Sequence, residues 1–137
     1  MKQCSIQFYY PKESELNWFL DAIKKYAVFS GRAGRKEYWS FFFVYLIISI
    51  FTSVLDIIIG KFDMKSGLGP ISGAFYLATL LPALGIAIRR FHDTGRSGWW
   101  VLIIFVPIVG LIIYIVLLAR AGDTGENNYG PVPSQVP

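Results

Sequence analysis

Cysteine and histidine are almost missing from this chain, which has only Cys4 and His92. A single cysteine excludes a disulfide framework and a cysteine-rich zinc site. A single histidine excludes a metal site built from several imidazoles. Charge is also scarce: 16% of the 137 residues are Asp, Glu, Lys or Arg, against roughly a quarter in an ordinary soluble domain. What fills the space is apolar. The AVILMFWYC residues make up 54% of the chain, with 11 Phe, 8 Tyr and 4 Trp, and the mean hydropathy is +0.48. Such a composition excludes a disordered chain, and at this length it implies one domain, residues 1–137.

Three apolar runs set the class. Residues 39–59 hold one charge, Asp56, while residues 71–88 and 99–119 hold none. A 21-residue helix is about 31 Å long at ~1.5 Å per residue, and the hydrocarbon core of a bilayer is about 30 Å thick. Backbone polar groups in lipid must be satisfied within the segment, so each run is predicted to be a helix. The expected fold is therefore an all-α membrane protein with three transmembrane helices. Pro107 and Gly110 fall in the middle of the third run. They allow one kinked span, with the tail on the outer side, or a re-entrant hairpin that returns the tail to the cytoplasm.

Lys and Arg near the runs set the orientation. Lys24, Lys25, Arg32, Arg35, Lys36, Arg89, Arg90 and Arg96 flank one predicted side, and Lys61, Lys65 and Arg120 the other. The eight-to-three split places the N-terminal segment and the loop before Trp99 in the cytoplasm. Residues 1–29 lack the uninterrupted apolar core of a secretory signal. Leu16, Phe19, Leu20, Ile23 and Ala27 instead share one face of an amphipathic helix over about residues 14–27, with Ser14 as its cap. That helix is expected to lie in the membrane interface or to pack on the cytoplasmic loops. Residues 120–137, rich in Gly, Pro, Asn and Asp, read as a flexible tail, with Tyr129 as an anchor at the membrane surface.

Four polar features stand out. Gly31-Arg32-Ala33-Gly34 and Gly95-Arg96-Ser97-Gly98 each precede a predicted span, and free N–H groups beside a guanidinium suit an anion. Arg32, Arg35, Lys36, Arg89, Arg90 and Arg96 are the candidate anion or lipid-headgroup ligands. Asp93, the one acid in the second cluster, is expected to hold the arginines in an ion pair. Ser49, Thr52 and Asp56 share one face of the first span with Tyr45 and are expected to make helix contacts, with Asp56 near Lys61. Ala74 with Ala78, and Ala83 with Ala87, have the small-xxx-small spacing of close helix packing.

His92 and Asp93 are neighbours and point apart, so they do not read as a catalytic dyad. No nucleophile with a plausible base lies beside them, and no metal or cofactor is expected. The expected function is non-catalytic: the basic cytoplasmic face binds anionic headgroups or an acidic partner. The alternatives are a subunit of an oligomeric small-solute transporter or channel, and a lipid-headgroup enzyme. The expected partners are membrane lipids, with a second copy or another membrane protein as further partners. Nucleic acid is not expected, because the basic residues are juxtamembrane.

The blocks Phe29–Trp39, Arg89–Trp100 and Gly122–Pro133 together resemble the YhaH-like bacterial membrane family, catalogued as a domain of unknown function (number 805). The likeness runs from about Trp18 to Pro133, with Phe91 where Leu is expected and residues 1–11 outside it. The resemblance implies a small multi-pass protein of the bacterial inner membrane. It carries over no activity and no functional residue.

Overall fold

The computed structural model describes residues 15–133. Among them the regular structure is helical: α1 (Glu15–Lys24), α2 (Arg35–Ile58), α3 (Pro70–Asp93), a 3₁₀ segment (Gly98–Phe105) and α4 (Val109–Ala119). Ser14 and the residues after Pro133 lie outside the described range. Two helices, α2 and α3, are long and apolar enough to cross a membrane. At 24 residues each is about 36 Å long.

They pack antiparallel, with polar ties at both ends. At one end the Ala33 N–H donates to Arg89 O at 3.0 Å. At the other, Asp56 of α2 caps α3. Its carboxylate accepts the N–H groups of Ile71 and Ser72 at 3.0 and 2.8 Å and the Ser72 hydroxyl at 2.7 Å. These are the orphan donors of a helix start, here met by another helix's side chain. Asp56 was expected beside Lys61; its side chain turns instead to the N-terminus of α3. A Cβ at Gly69 would stand 2.2 Å from Asp56 Cγ, so only glycine lets α3 begin there. The connecting loop turns on Asp63, which accepts the amides of Lys65 and Ser66 at 3.0 and 3.2 Å. Those hydrogen bonds hold its pKa below the ordinary carboxylate value.

Asp56→Ala is expected to cost about 2 kcal/mol of stability, and Asp56→Asn much less, because Asn is also a good cap. Thermal unfolding in detergent measures both. Equal damage from the two variants would show that the charge matters and the cap does not.

The apolar core lies at one end of the helix pair. Phe19, Ala22, Ala33, Tyr38, Phe41, Ile86, Phe91 and Leu118 are buried together there. Phe19 stacks on Phe41 with ring centroids 5.3 Å apart, so α1 packs on α2 and leaves Leu16 and Leu20 exposed. The helix is shorter than the expected 14–27. Further along α2 and α3 the buried positions are polar, among them Ser49, Thr52, Asp56, Ser72 and Thr79, while Ile47, Phe51, Ile58 and Leu77 are exposed. Ser49 and Thr52 donate to carbonyls of their own helix. Ala83 and Ala87 face inward; Ala74 and Ala78 do not, so only the second alanine pair makes the expected close contact. Polar inside and apolar outside is the arrangement of a protein solvated by lipid.

The third apolar run is not one helix. The 3₁₀ segment ends at Phe105, the chain reverses through Val106–Ile108, and α4 runs back. Ile108 has φ 61° and ψ −67°, and the Val109 N–H reaches Pro107 O at 2.7 Å, a strained three-residue turn. At the tip the N–H groups of Val106 and Gly110 donate to Ile103 O and Val106 O, and Pro107 has no N–H. Both ends of the run lie at the Asp93 end of α3. Gly98 packs on Ile88 and His92, and Arg90 donates to Leu118 O at 3.0 Å. Residues 99–119 therefore do not form the single continuous helix expected of a third span. Each arm is about 16 Å long, half the thickness of a hydrocarbon core.

Candidate functional site

All six candidate cationic residues lie at the core end of the bundle, but they divide into two groups. Arg32 is delivered by the turn at Gly31 (φ 85°), which swings the next residue inward. Its Nε and one terminal nitrogen lie 2.9 Å from Asp93 Oδ1. The same guanidinium donates to Asp123 O and Gly125 O, both at 2.7 Å, and to Gly130 O at 3.3 Å. Arg90, one helical turn before Asp93, pairs with Asp93 Oδ2 and also donates to Leu118 O, Arg120 O and Ala33 O. The Arg32, Arg90 and Asp93 side chains retain only 1%, 0% and 5% of their exposure. Arg90 thus caps the C-terminal carbonyls of α4, where a cation is favoured by the helix dipole.

Arg89 points elsewhere. It reaches Gly85 O at 3.3 Å and Glu37 Oε1 at 3.4 Å, and one terminal nitrogen has no partner. Glu37 was not singled out in the sequence; its place in the first turn of α2, opposite the last turns of α3, was the available signal. Arg32, Arg89 and Arg90 are therefore internal and do not form a headgroup surface. This corrects half of the candidate set. The reason is desolvation: a buried guanidinium needs acceptors for its five N–H groups, and the surrounding carbonyls and carboxylates supply most of them, one Arg89 nitrogen excepted.

Arg35 and Lys36 remain outside, and Arg96 is half-buried. Arg96 lies over the Trp100 ring at 5.9 Å. Arg35 and Lys36 are exposed on the first turn of α2 and have no ion-pair partner among the described residues. They stand at the mouth of a groove of about 640 Å³ that runs down α2 beside Ala119.

The tail is irregular but not loose. The Asp123 N–H donates to Asp93 O at 2.8 Å. The Asn127 amide donates to His92 O and to Asp123 Oδ2, both at 2.9 Å. Tyr129 stacks flat on His92, with ring centroids 3.9 Å apart. His92 Nδ1 lies 3.1 Å from Gly31 O; a carbonyl only accepts, so Nδ1 carries the proton. His92 and Asp93 thus serve different contacts and share none. Among the described residues no cluster of His, Cys, Asp and Glu could hold a metal.

Residues 26–131 match the family model described as Protein of unknown function (DUF805). The chain belongs to this family. It is 42% identical over 118 residues to Inner membrane protein YhaI of Escherichia coli (strain K12), covering 86% of this chain and 96% of the relative. It is 38% identical over 122 residues to Inner membrane protein YhaH of the same organism, covering 89% and 100%. Uncharacterized protein YiiR, also from that strain, is 28% identical over 128 residues, covering 74% and 83%. No solved structure matches the chain. In this DUF805 chain the three motif blocks meet at one point: Arg32 from the first, Arg90 and Asp93 from the second, and the carbonyls of Asp123, Gly125 and Gly130 from the third. The second Gly-Arg-x-Gly segment leaves Arg96 half-buried over Trp100 and outside this cluster, so the two segments have different roles despite their shared pattern.

Proposed function

We propose that this is a non-catalytic protein of the bacterial inner membrane, working through a basic cytoplasmic face that binds anionic headgroups. Arg35 and Lys36 carry the binding, with Arg96 as a further cation at the same end of the bundle. The single observation behind this is the exposure of Arg35 and Lys36 without acidic partners among the described residues, while Arg32, Arg89 and Arg90 are buried. In this reading α2 and α3 cross the bilayer, and the 3₁₀ segment and α4 form a re-entrant hairpin from the cytoplasmic side. Folding Arg120 back beside Arg90 moves it to that side, so the split of Lys and Arg becomes nine to two and fits the positive-inside rule better. Trp39, Trp99 and Trp100 each follow one of the two Gly-Arg-x-Gly segments, and indole rings favour the interface.

Two measurements test the proposal. In a Cys4→Ser background, cysteine at position 124 is expected to resist a membrane-impermeant maleimide in intact cells and to react after lysis, while cysteine at position 65 reacts in both. Labelling of position 124 in intact cells would overturn the topology. In nanodiscs, phosphatidylglycerol added to phosphatidylcholine is expected to stabilise the protein by about 2 kcal/mol, at ~1 kcal/mol per juxtamembrane charge. Arg35→Gln with Lys36→Gln should remove that gain. A wild-type melting temperature indifferent to phosphatidylglycerol would reject headgroup binding.

A further inference from the structure

We propose that the groove along the first half of α2 seats one anionic glycerophospholipid of the cytoplasmic leaflet. This rests on the headgroup reading above and names its ligand. The groove changes chemistry along α2 as a phospholipid does. Arg35 and Lys36 come first, Ser40 follows, Phe43 and Ile47 lie further along the helix, and Ala119 of α4 flanks the end near Arg35. From Arg35 to Ile47 is twelve residues, about 18 Å along the helix axis. That is close to the hydrocarbon depth of one leaflet, half of roughly 30 Å. The volume of about 640 Å³ falls within the range of small-molecule sites.

Charge selects the headgroup. The nearest acid, Glu37, is buried and engaged with Arg89 at 3.4 Å, so it does not neutralise the mouth. The mouth therefore carries two positive charges and favours a headgroup with net negative charge over a zwitterion. A planar guanidinium suits two phosphate oxygens at once, and the ammonium beside it adds a point charge. The Ser40 hydroxyl lies where the glycerol esters would enter. Below it an acyl chain would cover the exposed side chains of Phe43 and Ile47. The reversal at Ile108 makes the flank at Ala119 possible, because it brings Ala119 back to the interface beside α2.

The test is native mass spectrometry of the full chain released from nanodiscs of phosphatidylcholine and phosphatidylglycerol, combined with the melting measurement above. One phosphatidylglycerol is expected to stay with each wild-type chain. Arg35→Gln with Lys36→Gln should weaken retention about thirtyfold, the product of two headgroup contacts. Ala119→Trp fills the groove while leaving both charges. It is expected to lose the retained lipid and keep the melting response to phosphatidylglycerol. Ile47→Trp, which fills the groove from the α2 side, should do the same. Retention unchanged in both Trp variants, or a melting response without any retained lipid, overturns the groove and leaves the headgroup reading standing. Neither retention nor a melting response overturns both. Displacement of the lipid by millimolar inorganic phosphate would reduce the site to a phosphate clamp and also overturn it.

Discussion

Asp93→Ala is expected to lower the stability of the purified protein by about 3–5 kcal/mol, the cost of removing one partner from a buried ion pair. The upper end applies, because two buried guanidinium groups, Arg32 and Arg90, lose their carboxylate together. Asp93→Asn should cost less than Ala. It keeps one acceptor oxygen but turns an N–H₂ donor toward a group that can only donate. Arg32→Lys should also destabilise, since one ammonium cannot reach Asp93, Asp123, Gly125 and Gly130 at once. Arg96→Gln is the control, with an expected loss of about 1 kcal/mol or less from its contact with Trp100. Thermal unfolding in a mild detergent ranks the four. If Asp93→Ala melts with the wild type, the hub does not hold the bundle together.

The second large effect is expected at Gly110. A Cβ there would stand 1.9 Å from Ile103 O and 2.8 Å from Val106 Cβ. The nearest clash is with backbone, which cannot rotate away as a side-chain tip can, so Gly110→Ala must part the two arms. The expected cost is about 3 kcal/mol or more, at the upper end of overpacking penalties. Separation of the arms would also withdraw Leu118 O and Arg120 O from Arg90. Loss should therefore appear both as a lower melting temperature and as faster proteolysis after residue 120. Ile108→Gly is expected to act in the opposite direction. Glycine takes positive φ without steric cost, and relief of the turn should add about 1 kcal/mol. A neutral Gly110→Ala would mean that the arms do not approach as closely as described.

The two long helices were legible in the sequence because each is one uninterrupted apolar run, and hydropathy reports such a run whatever surrounds it. The third run scored just as high, yet it folds as two arms. Hydropathy carries no direction of travel, and the only traces of reversal were Pro107 and Gly110. At the hub, the sequence brought together the right residues but not their exposure. The positive-inside rule counts Arg35 and Arg90 alike, whereas burial depends on which carbonyls lie opposite, and those come from residues 118–130. Asp56 had a similar fate. Its position suggested Lys61, but the Gly69-Pro70 start of α3, with Ser72 two residues on, offered a denser set of donors. The tail's composition correctly implied irregular backbone. Composition alone does not reveal that irregular backbone leaves its carbonyls free, which is what Arg32 uses.

That use imposes an order on synthesis. The acceptors of Arg32 at Asp123, Gly125 and Gly130 lie 91, 93 and 98 residues further along the chain. In the proposed topology, when α2 first inserts, the guanidinium beside it has no protein acceptor from that stretch and must remain hydrated or lean on lipid phosphates. Contacts of such long sequence separation close late. The hub therefore marks completion: a nascent chain interrupted before residue 130 presents an arginine in search of acceptors at the membrane surface, and a finished chain hides it.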